Sequence, residues 1–237
     1  FMKVLKIFFL SIFCIVILSF GIGCEGGSDE TEGPETGSAA QISDVTENPA
    51  EAPVNDDSPV TKKIGMLSPQ TGPISVFSNQ YEAAANLAVT VLNSSQTQYQ
   101  FELLVADSGC DGAKAAISAS DLIDEGVVGI VGAACSGATM GAIQVAAPAG
   151  IPMVSYASTS STITYAEDNG YLFRIVPSDA QQAHALAAVI ADSGAIMPAL
   201  LHMTNDYGRG LADDFELNWG TVVCTRVGYD PADGSYD

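Results

Sequence analysis

The sequence predicts an α/β fold built on a parallel sheet with helices on both faces. Short apolar runs alternate with stretches of helical period, about 10–15 residues each, from Lys63 onward. The run Val127, Val128, Ile130, Val131 is β-branched and flanked by glycines, the pattern of a strand buried on both sides. The segments that follow the strands are rich in Ser, Thr and small residues, and ligands of such sheets bind beyond the carboxyl ends of the strands.

Lys63–Ser68 is an apolar strand stopped by Pro69, with a turn at Thr71-Gly72-Pro73. Ser78–Leu92 carries Tyr81, Ala84, Ala85, Ala88 and Leu92 at helical spacing. Tyr99–Asp107 is the second strand, and Asp111 is placed to cap a helix over Gly112–Asp124. Gly126–Gly132 is the third strand. Ser136 is then positioned to cap a helix running to Ala147, so a set of free backbone N–H groups begins where the strand ends. Ile151–Ser155 is a fourth strand, followed by the polar loop Ala157–Thr164. Phe173–Val176 is a fifth, with Pro177 and Ser178 opening a helix over Asp179–Asp192. Ile196–Met203, Gly208–Trp219 and Thr221–Gly228 complete the series as strand, helix and strand. Consecutive parallel strands are joined by right-handed crossovers. The loops that face a ligand are therefore Pro69–Phe77, Ser108–Asp111, Ala133–Gly137, Tyr156–Thr162 and Thr204–Gly210.

The chain has 237 residues, 47% of them hydrophobic, enough for a sizeable core. Its first part reads differently. Lys3 and Lys6 precede the apolar run Ile7–Phe20 and then Gly21-Ile22-Gly23-Cys24, the three-part layout of a secretory signal. The apolar run is short for a span of about 20 residues, although an uncleaved anchor helix is the alternative. A Cys after Gly-Ile-Gly resembles a bacterial lipobox, with Gly21 where Leu is usual, which makes residues 1–23 a lipoprotein signal peptide and Cys24 the lipidation site. Residues 24–60 are poor in apolar residues and hold ten of the 28 acidic residues, and they read as a disordered acidic tether. Either reading of the leader puts the folded part outside the cytoplasm.

The net charge of −20 is weighted toward that tether, and no basic stripe is present, which argues against nucleic acid as a partner. Of five cysteines, Cys110, Cys135 and Cys224 fall in the folded part. Cys110 and Cys135 each follow a strand end, whereas Cys224 lies inside a predicted strand, so the first two are paired as a disulfide worth about 3 kcal/mol on the chain-entropy model. No CxxC spacing exists, and His184 and His202 are remote from the cysteines, so no metal site is expected.

Catalytic patterns are missing from the loops. Ala134-Cys135-Ser136-Gly137 is not a G-x-S-x-G elbow, Cys135 has no His partner at a strand end, and no Gly-rich phosphate loop occurs. Binding chemistry is better served. Ser136 with a helix N-terminus behind it supplies donors to a carboxylate. Ala157-Ser158-Thr159 offers a carbonyl to an ammonium, and N–H and hydroxyl groups to the carboxylate, while Phe77 and Tyr207 can form a wall.

Together, the stretch from Ile64 to Asn93 (IGMLSPQTGPISVFSNQYEAAANLAVTVLN) and the motifs Asp107–Asp111, Gly132–Ser136, Val154–Thr159 and Asn205–Gly210 resemble the type I periplasmic binding proteins of the leucine/isoleucine/valine class. The resemblance covers essentially everything from Lys63 on. It implies a two-lobed flytrap fold with parallel sheets and helices on both faces, the first lobe in residues 61–176, nearly complete, and a truncated second lobe in 177–237. It also implies delivery of a small amino acid to an ABC permease in the membrane, a Cys110–Cys135 disulfide, and ligand contacts from Ser136, Ala157 and Thr159, with Phe77 and Tyr207 at the cleft. Where Phe77 stands the family often has Tyr, so a hydroxyl contact is lost there; Tyr156 and Ser158 are variable positions. Asp230–Asp237 resembles the loop after the second strand of the second lobe, and relatives continue beyond it. The protein is expected to act as a monomer without cofactor or catalysis. Readings kept beside this one are a receptor for short amides, urea or aromatic acids on the same scaffold, and a ligand-sensing ectodomain.

Overall fold

The computed structural model describes residues 59–230. The predicted signal peptide, the tether up to Ser58, the lipidation at Cys24 and the segment 231–237 lie outside the described residues.

The first strand, β1 (Val60–Ser68), pairs in parallel with β2 (Tyr99–Asp107) along its whole length, from Val60 opposite Tyr99 to Ser68 opposite Asp107. That pairing is why β1 starts ahead of the apolar run Lys63–Ser68: its first residues are held by backbone bonds rather than by burial. Helix α1 (Ser78–Ser95) joins the two strands. Next come α2 (Gly112–Asp124), β3 (Val127–Val131), α3 (Ser136–Ala146), β4 (Met153–Ser155) and β5 (Leu172–Arg174). The sheet order is β2-β1-β3-β4-β5, all parallel. The chain reverses its direction of travel across the sheet after β2, so right-handed crossovers put α1 on one face and α2 and α3 on the other.

The two faces differ. Against α2 and α3 lies a continuous core that includes Leu67, Leu122, Ile130, Ile143, Met153 and several alanines. Small residues let the helices approach closely: a Cβ on Gly141 would collide with the Gly112 carbonyl oxygen, so α2 and α3 cross in backbone contact. On the α1 face, Val128, Val154 and Phe173 are exposed, and α1 itself contains no buried residue. The predicted helix is present, but its predicted apolar face (Tyr81, Ala84, Ala85, Ala88, Leu92) is uncovered or half-covered. The predicted helices on both faces thus amount to two on one side and one on the other.

After β5 the chain runs through α4 (Asp179–Asp192), β6 (Ala199–Met203), α5 (Asp206–Trp219) and β7 (Thr225–Tyr229). Strands β6 and β7 form a second, two-stranded parallel sheet. Here α4 and α5 pack around Ala183, Ala187 and Phe215. The last strand starts at Thr225, not Thr221, because Gly220 closes α5 in the left-handed region (φ 72°) and the next residues turn the chain back. Cys224 therefore precedes the strand and is an exposed free thiol, contrary to its predicted place inside it. Two 3₁₀ turns, Ser75–Phe77 and Ser161–Tyr165, have no periodic signature in the sequence. Among the described residues no helix is long and apolar enough to cross a membrane.

Candidate functional site

The loops at the carboxyl ends of the strands are fixed by buried polar bonds. The Ala133 carbonyl accepts hydrogen bonds from Ser155 (2.7 Å) and Ser158 (3.1 Å), Thr139 donates to Ser158 (2.7 Å), and the Ala133 N–H donates to Thr139 Oγ1 (3.1 Å). Three hydroxyl groups thus hold the entry to α3 in a site with no access to water, where each unmade bond would cost about 1–3 kcal/mol. On the other flank, the Asp107 carboxylate accepts from Thr71 N–H (3.0 Å), Thr71 Oγ1 (2.7 Å), Gly109 N–H (2.9 Å) and the Lys114 ammonium. Burial works to raise its pKa, but these hydrogen bonds outweigh burial and hold Asp107 well below the usual carboxylate range. The cluster pins the Thr71-Gly72-Pro73 turn to the start of α2.

Between these loops lies an open cavity of about 740 Å³. That is within the range of roughly 300–1,000 Å³ typical of small-molecule sites. Ser136, Ala157, Thr159 and Tyr207 line it, together with the Cys110–Cys135 disulfide, which joins the β2–α2 loop to the start of α3. No Lys or Arg is among its lining residues; the charged ones are Asp111 and Asp206. Asp111 is committed to capping α2 through Lys114 N–H (2.8 Å), as the sequence predicts.

The start of α3 differs in detail from the sequence reading. Cys135, not Ser136, occupies the cap position; its sulfur is tied to Cys110, so no side chain caps the helix. Ser136 is the first helical residue, and its hydroxyl oxygen accepts the Ser160 N–H (3.3 Å), which leaves its own proton to donate. The first backbone bond of the helix is Thr139 N–H to Cys135 C=O (2.9 Å), so the N–H groups of Ser136, Gly137 and Ala138 have no partner within the helix. This edge of the cavity is an array of donors with the positive end of a helix dipole behind it.

The facing loop has the opposite character. Thr159 donates its hydroxyl proton to Asp179 (2.8 Å), which leaves only lone pairs on Oγ1, and Ala157 lines the cavity beside it. The sequence reading gave the Thr159 hydroxyl to a carboxylate; with its proton taken by Asp179 it can only accept. Two other expected residues stand outside the cavity lining. Ser158 is buried, and its hydroxyl is occupied by Ala133 and Thr139. Phe77 is 46% exposed, with its ring 6.4 Å from that of Tyr81. Tyr156, the remaining loop aromatic, is an internal strut: its hydroxyl donates to the Leu67 carbonyl (3.1 Å), and burial, then Tyr81 and Glu82, push its pKa up.

Sequence reasoning missed Asp179, Gln182 and Asp206. Asp179 sits where an acidic residue commonly serves only the helix dipole, and Gln182 reads as a solvent residue of α4. The missed approach at Asp206 does carry a signal, in Gly137: a Cβ there would lie 2.6 Å from the Asp206 carboxylate oxygen, so a larger residue would push that side chain away from the start of α3.

Comparison with known proteins gives a consistent result. A family model described as "Periplasmic binding protein" matches residues 61–232. A Leu/Ile/Val-binding protein homolog of Brucella melitensis is 30% identical over 170 residues, covering 70% of this chain and 46% of the relative. Among solved structures, the branched-chain amino acid transporter substrate binding protein LivJ from Streptococcus pneumoniae, in complex with isoleucine, matches with a TM-score of 0.65 and 25% identity, over 75% of this chain and 52% of the other. A solute binding protein from Rhodopseudomonas palustris, in complex with 3,4-dihydroxybenzoic acid, matches with a TM-score of 0.62 and 21% identity, over 72% of this chain and 47% of the other, which is a likeness of fold alone. The chain spans about half the length of these proteins.

Proposed function

Because the chain belongs to the periplasmic binding protein family, whose members bind solutes and do not catalyse, we propose that it is the ligand-binding part of an extracytoplasmic substrate-binding protein for a small, branched-chain-like amino acid. The observation that carries the reading is the split polarity of the cavity. Donors from Ser136 and the α3 N-terminus face acceptors from Ala157 and Thr159, with no Lys or Arg in the lining. A zwitterion satisfies both sides at no net charge, its carboxylate at α3 and its ammonium at the loop. Tyr207 supplies a wall for the side chain. Closure of two lobes, residues 61–176 and 177–237 with the remainder of the second lobe, would retain the ligand, and release would be to an ABC permease. A lipid at Cys24 behind a 1–23 signal peptide, with 24–60 as spacer, would keep the protein near that permease. Aromatic acids fit less well, since they present no N–H to the two acceptors, and amides and urea reach both sides only through neutral hydrogen bonds, weaker than the charge-assisted ones of a zwitterion.

Thermal-shift and calorimetric titration of the chain with leucine, isoleucine, valine, acetamide, urea and 4-hydroxybenzoate tests the reading. Binding of the aliphatic amino acids is expected, weakened about tenfold or more by Ser136→Ala, the value of one charge-assisted hydrogen bond. A flat response to every aliphatic amino acid would sink it.

A further inference from the structure

Asp179 is the most deeply buried charged side chain among the described residues, 2% exposed, and the binding chemistry above does not use it directly. It stands in the first turn of α4, where the chain leaves the five-stranded sheet. Both ends of this residue grip Thr159: its N–H donates to the Thr159 carbonyl (2.8 Å), and its Oδ2 accepts the Thr159 hydroxyl proton (2.8 Å). Arg174, at the end of β5, completes the grip by donating to the carbonyls of Thr159 (3.0 Å) and Ser160 (2.8 Å). The Thr159 carbonyl is therefore fully occupied, and its hydroxyl has one orientation.

A hydroxyl is normally ambivalent, able to donate or to accept as its partner requires. A carboxylate removes that freedom, because it can only accept. We propose that Asp179 is a positioning residue: by taking the hydroxyl proton of Thr159 it leaves only lone pairs to the cavity, and so makes the site select ligands bearing an ammonium over hydroxy, keto and aromatic acids. The inference rests on the amino-acid reading and names the feature that would enforce it. A ligand with an ammonium satisfies the Thr159 oxygen and the Ala157 carbonyl together. A keto oxygen at that position sets lone pair against lone pair, and a hydroxyl has one proton, neutral and enough for only one of the two acceptors, so a buried acceptor is left without a donor and is penalised. The groups that face Asp179 electrostatically are Arg174 of β5 and Asp214 of α5. Asp214 has a buried Oδ2 without a hydrogen-bond partner, so a second carboxyl group stands behind the first. Burial raises the pKa of Asp179, the Thr159 hydrogen bond opposes this, and Asp214 adds to it.

The test compares leucine with 2-hydroxy-4-methylpentanoate, which differs only in hydroxyl for ammonium, on the whole chain by calorimetry. The wild-type chain is expected to prefer leucine by about tenfold or more, the value of a hydrogen bond to a charged group. Asp179→Asn and Thr159→Val should each collapse the ratio toward unity, and Thr159→Ser should keep it. Parallel loss of both ligands in Asp179→Asn makes the role merely structural and overturns the proposal, as does a wild-type chain that binds the two equally. If the chain binds neither, the amino-acid reading fails, and carboxyl-carbon NMR then decides the inference without a ligand. Thr159→Val must raise the titration midpoint of Asp179 by removing its donor; an unmoved midpoint overturns the proposal.

Discussion

The five-stranded region and the β6–β7 region of this chain use the same strand-helix grammar, yet they reach different degrees of completion. In the first, α2 and α3 cross in backbone contact over the sheet, and Ala133 is bonded at both its N–H and its carbonyl. In the second, the core is Phe215 with Ala183 and Ala187, and both of the buried side-chain polar atoms without a partner among the described residues, Asp214 Oδ2 and Trp219 Nε1, fall here. Exposed Leu201, Leu217 and Val227 belong to the same region. The cavity is therefore built from unequal walls: one braced by a large core and by buried hydrogen bonds, carrying the α3 donors and the Thr159 acceptor, and one with a small core, carrying Tyr207 and Asp206.

Substitution in the two cores gives the strongest test of that inequality. Phe215→Ala is expected to cost about 3–5 kcal/mol, and the loss should appear as local opening of β6, α5 and β7 while β1 and β3 keep their amide protection. Ile143→Ala, at a fully buried position, is expected to cost about 2–5 kcal/mol and to lower protection across the five-stranded sheet. Hydrogen exchange read by mass spectrometry distinguishes the two patterns. Uniform loss of protection in Phe215→Ala would mean that the regions unfold as one unit and would remove the distinction.

The disulfide sharpens the same contrast at a smaller scale. Cys110 and Cys135 are 25 residues apart in sequence and both belong to the wall built on the five-stranded sheet. Replacing both by Ser is expected to destabilise the five-stranded region by about 3 kcal/mol, measured by chemical denaturation in a Cys224→Ser background. Protection of β6 and β7 should change little, because neither cysteine touches their core.

The two regions also differ in how legible they are in sequence. The elements of the first were readable because Val127–Val131 and the alanine-rich faces of Gly112–Asp124 and Ser136–Ala146 answer to burial, which leaves a periodic trace. The start of the last strand was not, because Thr221–Cys224 have β-branched composition but must first turn the chain after Gly220. Site residues divide likewise. Ser136, Ala157, Thr159 and Tyr207 stood in loops that topology marks in advance, and the cavity lining includes all four. Ser158 sits in the same loop with its side chain turned inward, a matter of local backbone direction that composition does not encode. Asp179 was invisible because its role depends on Thr159, twenty residues away.

The smallest expected effect separates the two carboxylates that brace the cavity-lining loops, and it does so by sign. Asp107 is held below its ordinary range by Thr71, Gly109 and Lys114 in spite of burial. Its stabilising contribution is therefore complete above the unfolded carboxyl value of about 3.9 and is lost as pH falls from there toward its lower folded value. Asp107→Asn is expected to cost about 1–2 kcal/mol at neutral pH, with the gap from wild type closing below about pH 4. Asp179 has the reverse linkage, since burial raises its folded value. Its ionised form is a cost above that value, and the cost diminishes as pH falls through the raised folded value toward the unfolded one. The stability difference between wild type and Asp179→Asn should therefore move in favour of wild type on mild acidification, over a range where the Asp107→Asn difference is still constant. Urea midpoints collected between neutral pH and pH 4 read both slopes. Parallel profiles for the two variants would mean that the Thr159 anchor is an ordinary stabilising carboxylate, bonded on the same terms as the Thr71 anchor across the cavity.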